Sequence, residues 1–376
     1  MAKLYGEIPQ RVDLALLNGL TPEVSTTKSD NFLVRPFSIQ SVFALVNGGA
    51  RGNTAKKISN TLHIPECEDE VKELFIGLTK TLQANDQNIF STANKIYLAH
   101  YFKIHNDYKT TAVDVFKADI QNINFSKTEE AVDEINRWVE EQTHNKIRKL
   151  ANPDAIGPNT ITVLINALYF QGKWVTEFHE PSKDLFRLNK KDSVSTNMMS
   201  VYKQFNYYDN SDLKTKFIEL PYKREQVSLT IVLPYEFEGL AELEERISDV
   251  FHSQSYFPTF VSLTIPKFKL ESLTHLKPVL KNMGIKDAFS GAANFSGIGE
   301  TQEGLVISEV VQKTFIEVDK KGTTIAAATM VVMELQSHRL DDWIKMVVDH
   351  PFIFYLKHKV NGILFVGRYV KAAEAV

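Results

Sequence analysis

Ten histidines and one cysteine are the side chains of this 376-residue sequence best suited to nucleophilic or metal chemistry. Their spacing supports neither. Cys67 lies in the acidic stretch Pro65-Glu66-Cys67-Glu68-Asp69, and no histidine forms a recognisable local signature with it. His179-Glu180 runs into Pro181, which argues against a metal-binding helix. There is no G-x-S-x-G elbow, no H-E-x-x-H and no P-loop. Gly297-Ile298-Gly299 continues as Glu300-Thr301-Gln302, so the dinucleotide fingerprint fails as well. The expectation is a protein that is not an enzyme, with no cofactor and no metal.

The stretch from Val310 to Phe354 suggests conformational chemistry instead. Thr314, Ile316 and Val318 alternate with Lys313, Phe315 and Glu317, the period of a strand. Asp319-Lys320-Lys321-Gly322 interrupts it, with a glycine free to take backbone angles other residues avoid. Thr323 to Met333 is built mainly of small and β-branched residues, and a polar stretch without period follows. Three readings of it stay open on the residues alone. Ala326-Ala327-Ala328 suits a short helix. The segment also suits an ordinary core strand. In the third reading Thr323, Ile325, Ala327, Thr329 and Val331 share one strand face, so the segment is a loop in one state and an inserted strand in another.

The pattern Glu317-Val318-Asp319-Lys320-Lys321-Gly322-Thr323-Thr324, then Ala326-Ala327-Ala328-Thr329, resembles the hinge of the reactive loop in serpins. The run from Met346 to Leu356, MVVDHPFIFYL, resembles the serpin signature just after that loop, and Asn166 to Trp174, NALYFQGKW, resembles another string of that family. The resemblance implies an α+β serpin fold, about nine helices around three β-sheets with an exposed reactive-centre loop. It implies one domain over residues 1–376, with the loop at about 322–347.

The implied function is suicide inhibition of an endopeptidase. The protease cleaves the loop, forms an acyl-enzyme and is trapped when the freed hinge segment inserts into a sheet. The family places the cut about fourteen residues past the hinge glycine, between Gln336 and Ser337. Counting back from Pro351 favours the bond between Arg339 and Leu340. Arg339 would suit a trypsin-like serine protease. Leu335 before Gln336 would suit a papain-like cysteine protease of the cathepsin L kind. Serine endopeptidase is the leading expectation, with the cysteine class as the alternative. Hinge residues carried over are Lys320, Lys321, Gly322, Thr323, Thr324, Ile325, Ala326, Ala327, Ala328 and Thr329; shutter residues are Arg35, Ser38, Asn166 and Gln312. Three of these depart from the family. Lys320 replaces an acidic residue, Ile325 a small one and Arg35 a serine. They feed a further alternative, a non-inhibitory carrier or chaperone. Gln312 stands where a histidine is usual, which keeps hydrogen bonding and removes charge.

Composition agrees with a globular protein, 43% hydrophobic and 24% charged with a net charge of −3, and gives no case for nucleic acid or a membrane surface; a monomer is expected. Lys72 and Lys80 sit among Glu68, Asp69, Glu70 and Glu73, so no heparin site is expected. One cysteine excludes an intrachain disulfide, and Met1-Ala2-Lys3-Leu4-Tyr5-Gly6 lacks the apolar core of a signal peptide. The leading expectation is an extracellular mature chain, and the alternative is a cytoplasmic protein. Helices are expected over 3–25, from Ser38 as cap, over 69–84, 101–118, 127–150 and 276–289. Strands are expected over 160–170, in two runs within 216–234, and as one strand over 261–270.

Overall fold

The computed structural model describes residues 30–81, 88–252, 254–300, 304–322, 343–359 and 362–372. The expected helix over 3–25 and the segment 323–342 lie outside them. Among the described residues there are eight α-helices and three sheets, of nine, five and two strands.

The five-stranded sheet contains β1 (Asn88–Ala99), β2 (Ala118–Ile123), β3 (Thr162–Gly172), β4 (Phe268–His275) and β5 (Glu309–Val318). Their order is β4-β5-β3-β1-β2. The sheet is mixed. β5 and β3 are parallel, with Glu309 opposite Val163 and Ile316 opposite Phe170, whereas β4–β5 and β3–β1 are antiparallel. Every residue of β3 is buried, as expected for a strand covered on both faces.

The period of two in β3 sends its side chains into two cores. Val163, Ile165, Ala167 and Tyr169 join Ile135 and Val139 of the helix Thr128–Gln142, which lies across the sheet. Leu164, Leu168 and Phe170 join the larger core on the other face. Burying each of the Val, Ile, Leu and Phe side chains among them stabilises by roughly 1.5–3 kcal/mol.

Several boundaries differ from expectation for local reasons. The strand expected over 261–270 is two, Phe257–Pro266 in the nine-stranded sheet and β4 in the five-stranded one. Pro266 has no N–H to continue a ladder, and the Lys267 N–H turns to the Asn197 carbonyl at 2.8 Å. The helix expected over 127–150 stops at Gln142, because His144 and Asn145 adopt φ of 51° and 59°. The helix expected over 101–118 is Asn106–Asp114, preceded by the short strand Lys103–Ile104. That over 276–289 is Lys277–Asn282 followed by a 3-10 turn at Asp287–Phe289, with Gly284 at φ 114° between them. Ser38 is not a cap. The helix is Pro36–Gly49, Arg35 is its cap position, and Ser38 lies inside it.

His358 ends the strand Phe352–His358, opposite Val227, and is 5% exposed. Burial holds its pKa below 6.5. The unfolded chain therefore takes up a proton that the folded chain resists, and stability falls as pH drops from 6.5 toward the folded value. Urea denaturation between pH 7 and pH 5 checks this: the midpoint should fall on acidification, and less steeply in His358→Gln.

Candidate functional site

The strand pair β5–β3 carries two clusters of interest, one at its end and one at its middle. At the end, Asp319 to Gly322 forms a tight reversal, with the Asp319 N–H bonded to the Gly322 carbonyl at 2.8 Å. Gly322 has φ 130°, and a Cβ there would lie 2.1 Å from the Gly172 carbonyl oxygen. Only glycine fits. Gly322 makes antiparallel bridges to Asp319 on one side and to Lys173 on the other. It sits between the end of β5 and the end of β3, where a strand between them would begin.

The reversal is pinned from the β3 side. The Trp174 N–H donates to the Lys321 carbonyl at 3.1 Å, and the Phe178 N–H to the Lys320 carbonyl at 2.8 Å. The Trp174 indole N–H donates to the Asp319 carbonyl at 2.9 Å. Trp174 is itself fixed by stacking on Tyr222, with ring centroids 4.2 Å apart. Lys320 pairs with Glu180, and this bond and charge hold the Glu180 carboxyl below its usual pKa.

At the middle, one buried polar row crosses three strands in register: Asn94 of β1, Asn166 of β3 and Gln312 of β5. The Gln312 amide donates to Asn166 Oδ1 at 2.8 Å and to the Arg35 carbonyl at 3.0 Å. Gln312 Oε1 accepts the Arg35 N–H at 2.9 Å. The Asn166 amide donates to Asn94 Oδ1 and Ser38 Oγ. Gln312 thus uses both N–H groups and its carbonyl. Thr314, one step along the same face, donates to the Leu33 carbonyl at 2.8 Å.

The structure brings Arg35, Ser38, Asn166 and Gln312 together, but Arg35 contributes its backbone. Its guanidinium turns aside and lies 5.6 Å from the ring centroids of both Phe37 and Phe365. Aromatic faces offer a buried cation partial compensation. Asn94 was not among the expected site residues. The available signal was a polar residue in the buried alternation of β1. Thr323, Thr324, Ile325, Ala326, Ala327, Ala328, Thr329, Leu335, Gln336, Ser337, Arg339 and Leu340 lie outside the described residues.

Two buried lysines tie the sheet to the helix Thr128–Gln142 and to the connection after it. Lys313 of β5 is 6% exposed. Its ammonium reaches Glu271 at 2.6 Å and donates to the carbonyls of Arg148 and Lys149, in the connection after the helix Thr128–Gln142. Lys95 of β1 pairs with Asp119 at 2.8 Å and lies 4.9 and 4.8 Å from the ring centroids of Tyr97 and Trp138.

Among the described residues no group of three metal-ligating side chains is found, and no helix is long and apolar enough to cross a membrane. Cys67 is exposed.

Comparison with known proteins identifies the class to which this mixed sheet, with Gly322 bridged at the end of its parallel pair, belongs. The family model described as Serpin (serine protease inhibitor) matches residues 15–372. Antichymotrypsin-2 of Bombyx mori is 33% identical over 343 residues, covering 90% of this chain and 91% of that protein. Serpin B4 of Homo sapiens is 32% identical over 369 residues, covering 91% and 94%. The crystal structure of Serpin48 from the insect Tenebrio molitor superposes with a TM-score of 0.91 at 38% identity, covering 98% of each chain. The chain belongs to the serpin family. The family is described as one of serine protease inhibitors, with target proteases as partners, and points to a protein that is not an enzyme.

Replacing Gln312 with alanine would strip partners from Asn166 Oδ1 and from the Arg35 backbone N–H and carbonyl. A buried polar group left without a partner costs roughly 1–3 kcal/mol. Gln312→Ala should therefore lower stability by about 2 kcal/mol or more in urea denaturation. A midpoint equal to the parent's would show that the row contributes nothing.

Proposed function

We propose that this serpin is a suicide inhibitor of a serine endopeptidase, acting as a monomer through a reactive loop at about 322–347 of a single domain. The observation that carries the reading is Gly322, bridged antiparallel to both Asp319 and Lys173. A chain continuing from it between β5 and β3 would run antiparallel to both. One parallel pairing would be exchanged for two antiparallel ones, which are slightly more stable per residue.

The chemistry follows from that exchange. The protease nucleophile attacks the Gln336 carbonyl carbon, the Gln336–Ser337 bond breaks, and the new amine at Ser337 takes a proton. Gln336 stays esterified to the enzyme. Residues 323–336, extended, span about 46 Å. β3 has eleven residues, or about 36 Å, so full insertion would carry the acylated end past the far end of the sheet. Trapping requires insertion to outrun hydrolysis of the ester.

Two of the three departures are compensated locally. Lys320 finds Glu180, and the Arg35 side chain packs on aromatic rings away from the polar row. Both support inhibition over the carrier reading. Leu335 beside Gln336 favours a second reading, inhibition of a papain-like cysteine protease through a thioester at the same carbonyl.

Intact-mass analysis after brief incubation with trypsin, and separately with a cathepsin L-like protease, tests these readings. The expected product is a covalent complex with release of a C-terminal peptide beginning at Ser337. A peptide beginning at Leu340 moves the cut to Arg339–Leu340. A complex with the cysteine protease alone changes the target class. Cleaved, uncomplexed chain with every protease would overturn the trapping mechanism.

A further inference from the structure

A cleft of about 470 Å³ lies at the end of the helix Pro36–Gly49 opposite to Ser38. Four helices wall it: the last turns of Pro36–Gly49, then Gly52–Leu62, the start of Glu68–Thr81, and Asn106–Asp114. Its size suits a small organic molecule. Leu45, Ile64, Val71 and Phe116 are buried and give it apolar walls. Tyr108, also in the wall, spends its hydroxyl on the Leu45 carbonyl at 3.0 Å.

Two polar groups of the cleft are left open. Asn47 donates an amide N–H to Ser59 Oγ at 2.8 Å, but its Oδ1 is buried and has no partner among the described residues. A buried acceptor calls for an N–H or O–H donor. Arg51 is the second group. Its Nη1 donates to the Gly48 and Ala50 carbonyls at 3.0 and 2.7 Å. A Cβ on Gly297 would lie 2.5 Å from Nη2, 2.7 Å from Cζ and 2.8 Å from Nη1, so the guanidinium lies flat on that glycine. These contacts fix its plane, and its Nε–Nη2 edge has no partner among the described residues. A guanidinium fixed in one plane with a free edge suits a carboxylate, which accepts two parallel N–H bonds. Lys56, exposed in the same wall and unpaired among the described residues, adds a second cation.

We infer that the cleft binds a small amphipathic carboxylic acid. Its apolar body packs on Val71 and Phe116, one N–H or O–H donates to Asn47 Oδ1, and its carboxylate sits on Arg51 and Lys56. The other charges of the cleft narrow the choice. Glu66, Glu68 and Asp107 also line it, and the one further cation, Lys72, is already paired with Glu68 at 2.7 Å. A polyanion would meet three carboxylates, and an amine would meet Arg51 and Lys56. A single carboxylate on an apolar body avoids both. Asn47 and Ser38 stand on one helix, and Ser38 holds Asn166 of the polar row. A ligand that binds only the folded chain raises its stability. The cleft thus gives a small molecule a hold on the helix that supports the β5–β3 pair. Such binding needs no protease and is independent of the inhibitory reading.

The test uses the full chain and two probe acids of like shape. Indole-3-acetate carries a ring N–H and a carboxylate, and 1-naphthaleneacetate carries the carboxylate alone. Isothermal titration calorimetry is run on the parent, on Arg51→Gln and on Lys56→Gln, with urea denaturation to show that each variant folds. Indole-3-acetate should bind the parent one to one and raise its urea midpoint. 1-Naphthaleneacetate should bind about tenfold more weakly, the loss of one buried hydrogen bond. Arg51→Gln should weaken indole-3-acetate by about tenfold or more, and Lys56→Gln by a smaller factor. Absence of saturable binding to the parent at millimolar indole-3-acetate would overturn the assignment. Equal affinity of the parent for the two acids would overturn it too, and so would folded Arg51→Gln and Lys56→Gln variants that bind like the parent. Should Arg51→Gln fail to fold, Lys56→Gln and the comparison of the two acids on the parent decide.

Discussion

The pairing of β5 with β3 is the contact on which the rest of the structure turns. It is closed by backbone bonds from Glu309 to Ile316 and cross-linked on its core face by Gln312 and Asn166. A sheet held only by interlocking apolar side chains would resist parting along its whole length. A row of amides behaves differently, because its bonds are directional and can be exchanged for others of the same kind. The same row is costly when half-broken, since each buried amide without a partner loses its desolvation energy uncompensated. In the proposed mechanism, parting the strands and filling the gap must therefore happen together. Gly322, already bridged to both sides, is where filling can start without first opening the middle.

The helix Thr128–Gln142 adds a second condition. It lies against β1 and shares one core cluster with β3 and β5, in which Ile135 and Val139 join Tyr97, Ile165 and Phe315. Its connection onward is held to β5 by the Lys313 ammonium at the Arg148 and Lys149 carbonyls. Burying an ammonium is unfavourable unless its donors are filled, and here two carbonyls and Glu271 fill them. The contact joins a sheet strand to the segment lying over it. A strand entering between β5 and β3 would change the separation that contact spans.

Much of this was legible in the sequence because it is local. The alternation of Lys313 to Val318, the apolar run of β3 and the glycine at 322 each report their own surroundings. The resemblance of three short motifs supplied the fold class. What the sequence did not show was pairing across distance. Lys320 reads as a misplaced charge until Glu180, 140 residues away, is beside it. Arg35 reads as a buried charge in a polar row, yet the row binds its peptide groups, a contact that any residue type could supply. Asn94 reads as one polar residue in a strand until register places it beside Asn166. The single strand expected over 261–270 failed for a related reason. Alternation continues through Pro266 and Lys267, and only tertiary pairing shows that the two halves belong to different sheets.

Ile325 is the departure that local compensation leaves untouched. If it enters a gap shaped for a small residue, overpacking costs about 1–3 kcal/mol. In the proposed mechanism that cost would not reverse insertion, which would add a ladder on each side of the new strand. Its effect is on timing. Insertion competes with hydrolysis of the acyl-enzyme, and each 1.4 kcal/mol on a barrier is about a tenfold change in rate. Residue 325 is only three beyond Gly322, so on that mechanism it would meet the sheet early, while few new pairings had formed to offset it. The full cost then falls on the barrier rather than on the finished state. An inhibitor working this way would keep a stable trapped product yet lose some molecules as cleaved substrate, and the enlarged side chain would act on the ratio of those two outcomes.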